Sequence, residues 1–321
     1  MRKNNSWLKY VIIGCFIVAL PLFGGAFPSL IHSAVFAGVY TILCLGLNLI
    51  FGQAGQLTLS TAAFYGIGAY SSVLLVRFAG VPVFVGIICG TIIAGLIGYL
   101  LAAPILRLGQ FYLTIATMAF AKIVENVLTQ EVEITGGPTG IVLIPKPSVA
   151  GFTFENPTSY YYLVWGIAII VFLISRNIVN SKVGRGLRAL ATSETGASSM
   201  GVHTYRYKNM MFSFGALFAG LAGALYAHFI GYISPDTFTV RLSISVLVMV
   251  AIGGKGNLWG GVFGAIFIAV FVPLFGNLEQ VSNLLYGGLL LIILMFLPGG
   301  LSSLFPLLLQ KIKGPERIQR L

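Results

Sequence analysis

The sequence predicts an all-α polytopic membrane protein of about ten spanning helices, folded as a single transmembrane domain over residues 1–321. Three observations predict it. Charged residues make up 8% of the chain and hydrophobic ones 57%, whereas soluble domains carry roughly 25% charge. A chain of 321 residues could bury a large core, but this one lacks the charges to clothe it in water. The apolar residues fall in long blocks that, with their flanks, approach the ~20 residues needed to cross a hydrocarbon core. The basic residues lie between those blocks, with a bias towards one side.

The first block, 10–26, follows Arg2, Lys3 and Lys9. It resembles a signal peptide, but no small-x-small cleavage site closes it before Pro21, and further blocks follow. An uncleaved first span is expected. The second, 30–51, carries Asn48, a polar residue that reads as an interhelical hydrogen bond or a substrate contact. The third and fourth run over 58–77 and 81–106. In the fourth, Gly86, Gly90, Ala94 and Gly98 form a four-residue stripe of small side chains, the pattern that lets helix backbones approach closely.

The fifth block, 109–129, holds Lys122 and Glu125, three apart and able to pair on one helix face. Ionisable residues inside a span are functional candidates. The alternative is a self-neutralised pair near the outer interface. The remaining blocks are 159–175, 209–232, 242–254, 259–276 and 284–307, and the tail after Gln310 is short and basic.

With the N-terminus cytoplasmic and all ten blocks crossing, fifteen of the nineteen basic residues fall inside and only Arg77, Lys146 and Arg241 outside, Lys122 lying within a span. This satisfies the positive-inside rule and places both termini in the cytoplasm. It also disposes of a nucleic-acid reading, since the charge follows topology and not one basic face. Cys15, Cys44 and Cys89 lie inside apolar blocks without CxxC or metal spacing, so neither disulfide nor metal is implied.

Two hydrophilic stretches remain. The outer one, 130–158, bears Glu131, Glu133 and Glu155 around Thr135-Gly136-Gly137-Pro138-Thr139-Gly140. Its turn-formers predict a tight cap, either an ordinary solvated loop or a gate or docking surface. The inner one, 176–208, holds a basic run (Lys182, Arg185, Arg188) before a short helix ended by glycine. Such a helix suits a groove in a partner; otherwise it is a basic loop held to anionic headgroups.

Glycine interrupts apolar sequence at two places. Gly52-Gln53-Ala54-Gly55-Gln56-Leu57 and Gly253-Gly254-Lys255-Gly256-Asn257-Leu258 both read G-x-x-G-[Q/N]-L, each followed by an aromatic-Gly-Ala cluster. Backbone that leaves the helix at membrane depth lines a cavity, and paired interruptions point to a transporter's pathway. Two tight cytoplasmic turns are the competing reading. No mid-membrane carboxylate stands outside Glu125, which disfavours an ion-driven carrier, and no Walker motif occurs, so ATP would be hydrolysed elsewhere. His32 and His228, near segment ends, read as interfacial packing. With His203 they offer no constellation for an intramembrane enzyme.

Together these residues resemble the LivM-type permeases of bacterial branched-chain amino acid ABC transporters. The likeness rests on Gly46-Leu47-Asn48-Leu49-Ile50-x-Gly52-x-x-Gly55-Gln56-Leu57, Phe64-x-Gly66-x-Gly68-Ala69-Tyr70, 111–120, Thr135-Gly136-Gly137-x-x-Gly140, Gly184-Arg185-x-x-Arg188-Ala189, the 218–226 run and Gly253-Gly254-x-Gly256. The resemblance implies an inner-membrane subunit translocating branched-chain amino acids, with urea or short amides as the alternative cargo. It implies a LivH-like second permease, two cytoplasmic ATPases that hold the ATP and Mg, an extracytoplasmic solute-binding protein, and no cofactor in this chain. It places the coupling helix at 194–201, with Gly184, Arg185, Arg188, Glu194, Ala197 and Gly201 facing the ATPase. Thr195-Gly196-Ala197 departs from the family's Ile-Ala-Ala and predicts a weaker helix. Asn48, Gly52, Gly55, Gln56, Gly253, Gly254, Gly256 and Asn257 are the expected pathway or gate residues, and Thr135, Gly136, Gly137 and Gly140 the expected docking residues.

Overall fold

The structure, a computed structural model, describes residues 28–149 and 152–274. Within them the apolar blocks fold as α1 (Pro28–Leu47), α2 (Thr61–Ala79), α3 (Val83–Ile105), α4 (Gln110–Gln130), α6 (Pro157–Asn180) and α9 (Thr204–Ile230), with α10 (Val240–Gly253) and α11 (Leu258–Leu274). Short helices α5 (Val132–Thr135), α7 (Lys182–Thr192) and α8 (Glu194–Ser199) lie between them. The six long helices are long and apolar enough to cross a membrane. α10 and α11 meet at 118°, as a broken span or a re-entrant loop. Fourteen residues make α10 only about 21 Å long, short of the ~30 Å hydrocarbon core. It therefore differs from the full crossing expected at 242–254. The segments expected at 10–26 and 284–307 lie outside the described residues.

Helix α1 is the hub, packed between α6, α9 and α11. Trp165 of α6 donates its indole N–H to Ala34 O at 3.0 Å, and Tyr160 donates its hydroxyl to Leu225 O at 2.7 Å. Helices α2, α3 and α9 form a second, tighter group whose contacts are glycine on backbone. A Cβ on Gly68 would overlap the Gly220 backbone, and one on Gly90 would meet Gly68 O at 2.7 Å. The stripe expected on α3 is this interface: Gly86 meets Ser72 and Val76, Ala94 is fully buried beside Gly220, and Gly98 lies against Ala216. Close approach raises the dispersion contact that holds helices together in lipid, where the hydrophobic effect is not available.

Two ends of the bundle are defined by contacts between loops. At one, β1 (Ile141–Val142) pairs antiparallel with β4 (Tyr232–Ile233), and Ile144 N donates to Gly231 O at 3.1 Å. A second ribbon pairs β2 (Ser148–Val149) with β3 (Phe152–Thr153). At the other end, Tyr205 donates its hydroxyl to Ala103 O at 3.0 Å, and Gln110 Nε2 donates to Gly55 O at 3.2 Å.

Candidate functional site

The two glycine interruptions, some two hundred residues apart in sequence, close on each other in space. After α1 the chain widens into a π-helical turn, Asn48–Gln53, where Ala54 N donates to Leu49 O, five residues back. Such bulges cluster at functional sites. Asn48 then clamps the opposite loop twice: its Nδ2 donates to Asn257 O at 2.7 Å, and its Oδ1 accepts from Gly256 N at 3.0 Å. Gln53 Nε2 donates to Gly256 O at 2.7 Å. Gly52 has to be glycine here, because a Cβ would overlap the Asn48 side chain and the Gly256 backbone. Gly55, Gly254 and Gly256 take φ of +71°, +118° and +81°, which side-chain-bearing residues adopt only with strain. Gly253 crosses against Gly260, bringing α10 onto α11. Lys255 lies 4.1 Å over the Phe51 ring.

From Gly55 to the start of α2 the backbone is neither helix nor sheet, yet Gln56, Thr58 and Ser60 are buried. Side chains supply its missing hydrogen bonds, as burial requires. Leu59 N donates to Thr117 Oγ1 at 3.1 Å, Ala62 N donates to Ser243 Oγ at 2.9 Å, and Thr114 Oγ1 donates to Leu57 O at 3.2 Å. The strip thus lies against α4 and α10 inside the bundle, where irregular backbone is tolerated only in protein or along a cavity. Among the described residues, Gln56 Oε1 is buried without a donor. Sequence reasoning named Asn48, Gly52, Gly256 and Asn257 but missed Gln53, Thr117 and Ser243. The last two are hydroxyls in apolar helices, and only the three-dimensional contact singles them out.

The expected coupling residues gather at the same end of the bundle. Ser181 caps α7 by accepting from Val183 N and Gly184 N at 3.1 and 3.4 Å. Gly184, Leu187 and Leu190 turn inward, while Arg185 and Arg188 stay exposed, Arg188 donating to Val179 O at 3.2 Å. The basic run expected to precede a helix is therefore a helix itself. Ser193, extended at φ −157°, breaks α7 from α8 and caps the latter by accepting from Gly196 N at 3.1 Å. Glu194 pairs with Lys208 at 2.6 Å, Ala197 is buried, and Gly201 turns the chain back at φ +78°. Gly55 approaches Ala191 of α7, so the helix breaks and the α7–α8 pair are in contact.

The expected docking residues lie apart, at the opposite end. Thr135 Oγ1 donates to Leu128 O at 2.7 Å, and Gly136, Gly137 and Gly140 all have positive φ. They fold the tight cap that the turn-formers predict.

A family model for the branched-chain amino acid transport system permease component matches residues 29–297. The chain belongs to this permease family. It is 33% identical to the high-affinity branched-chain amino acid transport system permease protein LivM of Escherichia coli (strain K12), over 89% of this chain and 74% of that protein. It is 26% identical to a probable LivM of Methanocaldococcus jannaschii, over 92% and 88%. The LivH permease of Salmonella typhimurium is 22% identical over 72% of this chain and 80% of its own. No solved structure matches. The chain is accordingly a multi-pass membrane permease, whose relatives are named as transport proteins and not as enzymes.

Proposed function

We propose that this permease imports branched-chain amino acids as one of two membrane subunits of an ATP-driven transporter, the other being LivH-like. The likeness to LivM over 89% of the chain carries the reading, and the relatives' names favour these amino acids over urea or short amides. Two cytoplasmic ATPases, which hold the ATP and Mg, grip α7 and α8, and an extracytoplasmic solute-binding protein docks on the cap around 135–140.

Charge supports that orientation. Among the described residues, the end bearing α7, α8 and the clamped loops carries Arg107, Arg176, Lys182, Arg185, Arg188, Arg206, Lys208 and Lys255 with Glu194 as its acid. The cap end carries Arg77, Lys146 and Arg241 with Glu131, Glu133, Glu155 and Asp236. Excess Lys and Arg mark the cytoplasmic side.

In this mechanism, closure of the ATPases pushes α8. The push passes through Lys208 into α9 and through Ala191 to Gly55, and the clamped breaks at Asn48–Gly256 open or close the strip at 55–60. Deleting 194–201 is expected to abolish ATP-driven leucine uptake and ATPase co-purification while leaving membrane insertion intact. Normal uptake by that variant would refute the coupling role.

A further inference from the structure

Helix α4 is the least enclosed of the long helices, with 22% of its apolar window buried. Its bundle-facing residues are Leu113, Thr117, Ala121 and Leu128. Beside that face, at helical spacing, runs a second stripe: Thr114, Met118, Lys122, Glu125 and Thr129. The stripe starts on the non-helical strip, since Thr114 bonds Leu57 O. Lys122 is the thirteenth residue of α4, about 18 Å from one end and 12 Å from the other at 1.5 Å per residue. It is therefore at membrane depth, nearer the cap end than the basic end. Its side chain is 59% exposed and its Nζ lies 2.5 Å from Glu125 Oε1. Glu125 is 16% exposed, and among the described residues its second oxygen, Oε2, is buried without a hydrogen-bond partner.

Hydrocarbon is the one surrounding such a pair does not tolerate. A charged group at membrane depth faces the protein interior or a water-filled cavity, and Lys122, more than half exposed, is not enclosed by this chain. The opposite side of α4 answers differently: Ile123 and Val127 are exposed and apolar, as a lipid face requires, with Asn126 at the edge between them and Lys122. The two sides of one peripheral helix thus meet different solvents.

We infer that the Thr114–Met118–Lys122–Glu125 stripe of α4 lines the water-filled solute pathway shared with the second permease subunit, and that Lys122 and Glu125 hold the zwitterion of the passing amino acid. The α-carboxylate takes the Lys122 ammonium and the α-ammonium takes Oε1 of Glu125, the oxygen that Lys122 releases, so the protein exchanges one intramolecular ion pair for two contacts between opposite charges. The aliphatic side chain then lies along Met118. This rests on the importer reading above.

Two measurements on the assembled transporter in vesicles test it. The first compares wild type with Met118→Cys and Ile123→Cys, reacted with a charged, water-soluble thiol reagent and corrected for the wild type's own cysteines. Met118→Cys is expected to react at least tenfold faster than Ile123→Cys, and more slowly with leucine-loaded binding protein and ATP present. Equal rates would mean that both sides of α4 meet the same surroundings and would overturn the inference.

The second measures ATP-driven leucine uptake by Lys122→Leu/Glu125→Leu and by the exchange Lys122→Glu/Glu125→Lys. The double leucine variant is expected to lose uptake at least tenfold and the exchange to restore half or more of it. Uptake by the double leucine variant above half of wild type would overturn the zwitterion role. Failure of wild type itself to take up leucine sinks the importer reading instead, and leaves the labelling result standing on its own.

Discussion

Asn48 contacts a carbonyl and an amide of the opposite loop at once, a pairing that only a carboxamide can satisfy. Asn48→Asp keeps the acceptor for Gly256 N but sets a carboxylate oxygen against Asn257 O, with no donor between them. The expected cost is about 1–3 kcal/mol, the penalty for a buried polar group left unpaired. It should be read as a lower melting temperature of the purified protein in detergent; an unshifted transition would show that the clamp is dispensable. The residue itself was legible in the sequence as a polar group inside a span, but its partner was not. His228 carries the same lesson further. By sequence it is a segment-end histidine suited to interfacial packing; in the fold it is fully buried, with Nε2 3.0 Å from Ser72 Oγ and Nδ1 2.7 Å from Pro145 O. Because a proline carbonyl only accepts, Nδ1 holds the proton and Nε2 accepts from the serine. No local pattern announces a bond that spans 156 positions.

Elements show where sequence reading succeeds and where it stops. Block length finds α1 to α4, α6 and α9 because each is an apolar run of spanning length. The small-residue stripe on α3 is visible because its spacing repeats on one helix. Its receiving surface, Gly68 on α2 and Gly220 on α9, is not, since the contact arises only where two helices cross. The division of 182–199 into α7 and α8 was also hidden. It comes from one residue, Ser193, whose extended backbone ends the first helix and whose hydroxyl caps the second. That cap offsets the loss of helix propensity at Thr195 and Gly196, so α8 forms despite those residues. Ser193→Ala removes the cap, at about 1 kcal/mol, equivalent to about a fivefold change in an equilibrium constant. The expected outcome is correspondingly weaker ATPase co-purification with unchanged insertion of the subunit. Retention at wild-type level would mean that the ATPase does not read α8 as a preformed helix.

At the scale of the whole molecule, orientation follows from which loops share an end. Hydrogen bonds join 48–56, 103–110 and 254–257 at one end, with 176–208 against them. Others join 130–149 to 231–238 at the far end. Each long helix runs from one set to the other, so the two sets must lie on opposite sides of any bilayer the bundle crosses. The proposed orientation takes the charge bias to say which side is which: a loop rich in Lys and Arg is held back on the cytoplasmic side, and the acidic cap is free to cross. Two exposed positions read this directly, Ser199 on α8 and Glu133 on α5. In intact cells a membrane-impermeant maleimide is expected to label Glu133→Cys and to leave Ser199→Cys unreacted until the membrane is opened, when both react. Labelling of Ser199→Cys from outside would invert the bundle and put α7 and α8 beyond the reach of any cytoplasmic ATPase. Labelling of both from outside would mean that α6, the long helix between the two positions, does not separate two compartments. Either result would remove the physical basis for ATP-driven import. The predicted pattern would instead place the clamped helix breaks and the coupling helices together on the side where ATP is found.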